Sequence, residues 1–147
     1  MATLGRGFLR LSNATGIRRF GEQLTWIQEP DIFHICLTGT LEAADLKKII
    51  DWQVEWGKQK PRFFIVCDVR QLRSVSREAR QYATQLNGST TTQVITIAYG
   101  ASFGLRIAME MMSRARRIMG MRDGVEVVFM ATEADALAEV EKRREHS

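Results

Sequence analysis

Histidine, cysteine and proline are all scarce in this chain of 147 residues, which has two of each. His34 falls inside an alternating apolar run and His146 one residue from the last position. Neither has a cysteine or carboxylate at metal-ligand spacing, so the supply supports neither a zinc centre nor a Ser-His-Asp arrangement. No catalytic residue, metal or cofactor is expected, and the protein reads as a non-enzyme. Cys36 and Cys67 each sit within an apolar, strand-like run. Two buried thiols of a cytoplasmic protein are expected there, not a disulfide. No apolar run approaches the ~18 residues that a membrane span needs. Leu4 to Leu11 is interrupted by glycine and arginine, so no secretory signal is expected.

Acidic residues are missing from the first 21 positions, which carry Arg6, Arg10, Arg18 and Arg19. The formal excess of +4 therefore lies in this leader, and the remaining chain balances. A balanced domain argues against a broad nucleic-acid surface, so no specific nucleic-acid partner is expected. The leader is either a solvated arm or a basic tail that touches an anionic membrane or nucleic acid. Residues 1–20 are thus read as a basic N-terminal arm, partly paired to a sheet near Gly16–Phe20, and residues 21–147 as one domain.

What is present is hydrophobic patterning, with 45% of residues apolar. Leu24–Gln28 and Ile32–Thr38 alternate around Glu29-Pro30-Asp31, which predicts an antiparallel hairpin. Glu42–Gly57 has Leu46, Ile49, Ile50 and Val54 at the spacing of one helical face. Phe63–Cys67 is a short run suited to a strand buried on both faces, closed by Asp68 and a turn. Ser76–Asn87 predicts a helix with Ala79, Tyr82, Ala83 and Leu86 inward, stopped by Asn87-Gly88. Val94–Tyr99 is a strand. Ser102–Met119 is a long helix with Gly104, Ile107, Ala108 and Met111 on its inner stripe, ended by Gly120. Val125–Met130 is a last strand before a helix capped by Thr132. Strands alternating with helices predict an α/β fold: a single mixed, mostly parallel sheet of about five strands, with an N-terminal antiparallel hairpin and four helices.

Three stretches carry a family resemblance. They are Val66–Arg80 (VCDVRQLRSVSREAR), Ile97–Arg106 (IAYGASFGLR) and Val127–Leu137 (VVFMATEADAL). With the element order, they resemble the STAS domain superfamily, in its SpoIIAA-like, anti-sigma-factor antagonist-like or CRAL-TRIO-like subgroup of uncharacterised bacterial proteins. The resemblance covers roughly Gly21 to Val140. It implies a regulatory, protein-interaction module whose turn after the Asp-ending strand carries a phosphorylated serine in an Asp-Ser-Ser-Gly run. Here that place reads Arg73-Ser74-Val75-Ser76-Arg77-Glu78, without the run. Ser74 and Ser76 lie close to it.

The candidate interaction or phospho-site is therefore Asp68, Ser74, Ser76 and Arg77. Ser76 is either a helix N-cap, its hydroxyl accepting from a backbone N–H near Ala79, or a phosphoacceptor beside Arg73 and Arg77. Asp68, a carboxylate without a nearby second acid, is read as a hydrogen-bond acceptor in the turn, with base or metal ligand as the alternative. Ser102 and Arg106 stand at a second helix start, either as a cap and close packing at Gly104 or as an anion contact. Trp52 and Trp56 either border the core or form an exposed patch for a partner or an acyl chain. Met109, Met111, Met112, Met119 and Met121 suit a core, with a lipid pocket or a homodimer interface as the alternative. A protein partner is the first expectation; a small carrier of a lipid or other apolar anion is the second.

Overall fold

Phe33, Ile35 and Leu37 alternate with His34 and Cys36, so one strand has to serve two faces of a sheet at once. It does so in the computed structural model of the chain, which describes residues 15–85, 93–107, 110 and 125–146. The strands are β1 (Thr15–Phe20), β2 (Gln23–Gln28), β3 (Ile32–Leu41), β4 (Arg62–Val75), β5 (Gln93–Tyr99) and β6 (Val125–Met130). They form one six-stranded sheet in the order β1-β2-β3-β4-β5-β6. β1, β2 and β3 pair antiparallel, and β3 to β6 pair parallel. The helices are α1 (Ala43–Gly57), α2 (Arg77–Gln85), the opening of α3 at 103–107, and α4 (Glu133–Glu145).

Parallel neighbours in sequence order, joined by crossovers of one hand, place successive crossover helices on the same face. Accordingly Ile49 of α1 packs with Phe33, Ile35, Phe63, Ile65 and Cys67, and Leu105 of α3 lies against the same cluster. The chain changes face after β6. Ala136 and Val140 of α4 pack against Ile32, Phe64, Val66, Ile97 and Tyr99. Burying a side chain the size of Phe33, Phe64 or Ile97, each fully shielded from solvent, stabilises by about 1.5–3 kcal/mol.

The strand count rises from about five to six because Thr15–Phe20, the paired end expected of the arm, forms edge strand β1. The more consequential correction concerns Asp68. It does not end its strand, because β4 runs 14 residues and continues through Val75. Its extension pairs with a shorter extension of β3, Thr38 opposite Gln71, Gly39 opposite Leu72 and Leu41 opposite Val75, across two register shifts. The extension is anchored at its root by the buried Gln23, whose amide donates to the Thr38 carbonyl (3.0 Å) and accepts from the Thr38 N–H (2.7 Å).

Other expectations shift locally. The Glu29–Pro30 peptide in the hairpin turn is cis. Val54 is 47% exposed, so the buried face of α1 is narrower than the spacing implied and centres on Ile49. Among the described residues, nothing lies within 4 Å of where a Cβ would stand on Gly104, so none of them packs closely there. Ile107 is exposed, not inward. The expected stop at Asn87-Gly88, Leu86, Ala108, and Met109, Met111, Met112, Met119, Met121 and Gly120 lie outside the described residues.

Candidate functional site

The parallel strands β3, β4 and β5 deliver Cys36, Asp68 and Tyr99 to one row across the sheet, since Cys36 pairs with Asp68 and Asp68 with Tyr99. All three project from the α4 face, near the carboxyl ends of β4's regular pairing, where α/β sheets gather binding groups. Asp68 is buried. A buried carboxylate is costly unless paired and hydrogen-bonded, and Arg70 supplies both needs. Its Nε donates to Oδ1 at 3.0 Å, its Nη2 to Oδ2 at 2.8 Å, and its backbone N–H to Oδ1 at 3.0 Å. The Cys36 thiol lies 3.9 Å from Oδ2. The hydrogen bond from its guanidinium to Asp68 raises the Arg70 pKa above the usual arginine range. On the opposite face, burial pushes the Cys67 thiol far up, and the Asp68 charge adds to the shift. Cys36 is half-buried and Cys67 buried, and the two do not form a disulfide.

Arg70 is also fixed from two further sides. Its guanidinium lies over the Tyr99 ring at 5.5 Å. Tyr99 in turn donates its hydroxyl to Glu133 at 2.9 Å, tying the end of β5 to the start of α4. Gly100 adopts φ +79°, and a Cβ there would stand 2.2 Å from Arg70 Cγ. Glycine is thus required twice, for the backbone conformation and for the passage of the arginine stem. Beyond Arg70 the β3–β4 extension opens into a cleft of about 480 Å³ lined by Glu22, Thr38, Gly39, Arg70, Gln71, Leu72 and Arg73.

The candidate residues separate into three groups. Asp68 belongs to the Arg70 pair. Ser74 and Ser76 stand at the end of the extension: Ser74 Oγ lies 2.9 Å from Thr40 Oγ1 on β3. Ser76 Oγ accepts from Ala79 N at 3.1 Å, the geometry of an N-cap, and Ser76 N donates to the Leu41 carbonyl. Arg77 opens α2 with its side chain exposed. Ser102 and Arg106 are elsewhere. Ser102 Oγ accepts from Leu105 N at 3.2 Å, and the Arg106 guanidinium lies over Phe129.

Trp52 and Trp56 do not form an exposed patch, because both are half-buried against the α1-side core. Trp56 packs edge-on to Phe63 at 5.2 Å and donates its indole N–H to Glu29. Trp52 is covered by the Arg18 guanidinium at 3.5 Å. The large exposed apolar side chains are instead Ile17, Val54, Phe103 and Ile107 among the described residues. Arg70, Tyr99, Glu133 and Glu22 were absent from the expected site. Asp68-Val69-Arg70 held the signal: two residues apart on a strand, an acid and an arginine share a face.

Among the described residues, no group of three His, Cys, Asp or Glu side chains is arranged to hold a metal ion, and no helix is long and apolar enough to cross a membrane.

Neither a family model nor a curated protein matches the chain. Among solved structures, an uncharacterized protein of the DUF3478 family with a SpoIIAA-like fold, from Shewanella loihica PV-4, is 17% identical with a TM-score of 0.45, over 85% of this chain and 93% of that one. A structure described as Mglu is 11% identical with a TM-score of 0.33, and the match covers 83% of this chain and 20% of that one. The fold assignment itself rests on the strand order and registers given above.

Proposed function

We propose that the protein is a non-enzymatic interaction module that engages a protein partner through the β3–β4 extension and the start of α2. The observation that carries this reading is the division of labour around Asp68. The buried carboxylate is committed to holding Arg70, while Arg70, Gln71, Arg73, Ser74 and Arg77 stand exposed along one continuous run. An open, polar cleft of about 480 Å³ adjoins that run. Exposed, structurally positioned side chains on a rigid strand suit recognition. Another cleft, of about 730 Å³, lies near the amino ends of β3, β4 and β5 and is lined by Asp31, Pro61, Arg62, Gln93, Ile95, Arg143 and His146. Its charged lining, like that of the first, suits a polar surface contact better than an apolar cargo.

The test is chemical crosslinking of the tagged protein in its own host, followed by mass spectrometry. Arg73→Glu with Arg77→Glu should abolish the major crosslinked partner. Lys58→Glu with Lys142→Glu, remote from the run, should leave it. Loss in both variants, or in neither, would sink the reading.

A further inference from the structure

We propose that edge strand β1 is a latched flap. It opens by itself about the Gly21-Glu22 turn while the other strands stay folded, and the Arg18 guanidinium on the Trp52 indole is the latch. The device is separate from the β3–β4 extension and does not depend on the partner reading.

Among the described strands, β1 pairs with β2 alone. Its residues from Thr15 to Arg19 are exposed, and Phe20 is half-buried. In β2, by contrast, Gln23, Thr25, Trp26 and Ile27 are buried. Little apolar area therefore holds β1 down. A segment with few buried contacts and a solvent-facing ladder opens at lower free energy than the whole domain. The ladder is also interrupted, since a register shift separates Thr15 from Arg18 and Gly16 within it adopts φ +59°. Two hydroxyls reach across. Thr15 Oγ1 donates to the Ile27 carbonyl at 3.4 Å and Thr25 Oγ1 to the Arg18 carbonyl at 3.3 Å, both longer than a well-formed O–H···O bond. The turn is better seated. A Cβ on Gly21 would stand 2.6 Å from Asp45 Oδ2 of α1, so the flap has a fixed hinge.

The irregular part of β1 lies on Trp52. A Cβ on Gly16 would stand 3.4 Å from Trp52 Cζ2, on the nitrogen-bearing side of the indole, and Arg18 covers the ring at 3.5 Å. Closure carries a cost at the same place. Trp52 Nε1 is shielded from solvent and has no hydrogen-bond acceptor among the described residues. A buried donor left unsatisfied disfavours the closed form, and water satisfies it once β1 lifts. The Arg18–Trp52 attraction and the orphaned N–H thus act on one ring with opposite signs, which keeps the open and closed forms close in free energy. The two forms present different edges. Closed, the sheet ends in a short, bulged strand carrying Arg18 and Arg19, features that discourage edge-to-edge pairing. Open, it ends in β2, whose outer edge is released for pairing.

The experiment is native-state hydrogen exchange of the intact protein, followed by NMR in urea well below the unfolding transition. Protected β1 amides are expected to exchange about a hundredfold faster than those of β4 and β5, with little dependence on urea, as a local opening requires. Arg18→Ala should lower β1 protection about fourfold and leave β4 and β5 unchanged. Trp52→3-benzothienylalanine keeps the ring shape and removes the N–H, and it should raise β1 protection about tenfold. Exchange of β1 in step with β4 and β5, absence of any β1 protection, or no response to Arg18→Ala would each overturn the proposal. Unchanged or lowered β1 protection in the benzothienylalanine protein would overturn it equally.

Discussion

The two ends of the sheet each carry an arginine–aspartate pair, and the pairs serve opposite purposes. At the amino end, Arg144 of α4 binds Asp31 in the hairpin turn, joining residues 113 positions apart. Both partners are largely covered, at 29% and 19% side-chain exposure. Nearby, Arg62 donates to the Arg143 carbonyl at 3.3 Å, reinforcing the same junction. At the carboxyl end, Arg70 binds Asp68 two residues away, and the arginine is more than half exposed. A pair between distant elements closes the structure. A pair between neighbours on one strand closes nothing, and its product is the fixed position of a guanidinium. Sequence separation and asymmetric exposure together distinguish a clasp from a mount.

The strongest way to break this comparison is to remove the mount. Asp68→Ala deletes a buried acceptor of three hydrogen bonds and should cost about 2–3 kcal/mol in urea unfolding. It should also weaken capture of the crosslinked partner, because Arg70 is freed to wander. Arg144→Ala should cost about 1 kcal/mol and leave the crosslinked partner unchanged. A double-mutant cycle with Asp31→Ala checks that this loss belongs to the pair. If Arg144→Ala impaired partner crosslinking as Asp68→Ala does, the division between clasp and mount would collapse.

The smallest effect concerns alkaline pH. The Arg70 and Arg144 pKa values are raised by hydrogen bonds to Asp68 and Asp31. Stability linked to them is fully present below the unfolded arginine pKa and is lost only as pH rises through the higher folded value, so both pairs are silent at pH 8–11. Cys67, raised chiefly by burial, titrates inside that window when unfolded. Above about pH 8.5 the unfolded state releases the thiol proton while the folded state keeps it, so stability falls by up to about 1.4 kcal/mol per pH unit. Cys67→Val should flatten that decline, as measured by urea midpoints between pH 8 and 10.5. An unchanged slope would remove Cys67 as its source.

Much of the fold was legible because its core strands are written in side chains. Phe33, Ile35 and Leu37 alternate, Phe63–Cys67 is apolar throughout, and Thr132 and Ser76 precede helices with cap chemistry. The β4 extension was not legible, for a physical reason. Arg70 to Val75 holds its place through backbone pairing with Thr38 to Leu41, and backbone hydrogen bonds leave no pattern in side-chain polarity. Leu72 and Val75 reach the α1-side core three residues apart, a spacing that the register shifts permit and a regular strand would not. Asp68 was selected correctly as a position and misread as a terminus, since a charge after five apolar residues ordinarily ends a buried strand. Trp56 was ambiguous because an aromatic at the margin of a helical face fits a core or a surface equally well, and only Phe33 and Phe63 decide it.

The strand order has one further consequence. Each strand lies beside its predecessor in the chain, so a growing polypeptide can lay down the sheet in the order of its synthesis, every new strand finding its template already in place. Among the described strands, none has to be threaded between two others. α4 is the part that must wait: it brings Arg144 back to a turn made early, at Asp31, and so fastens a late element to an early one.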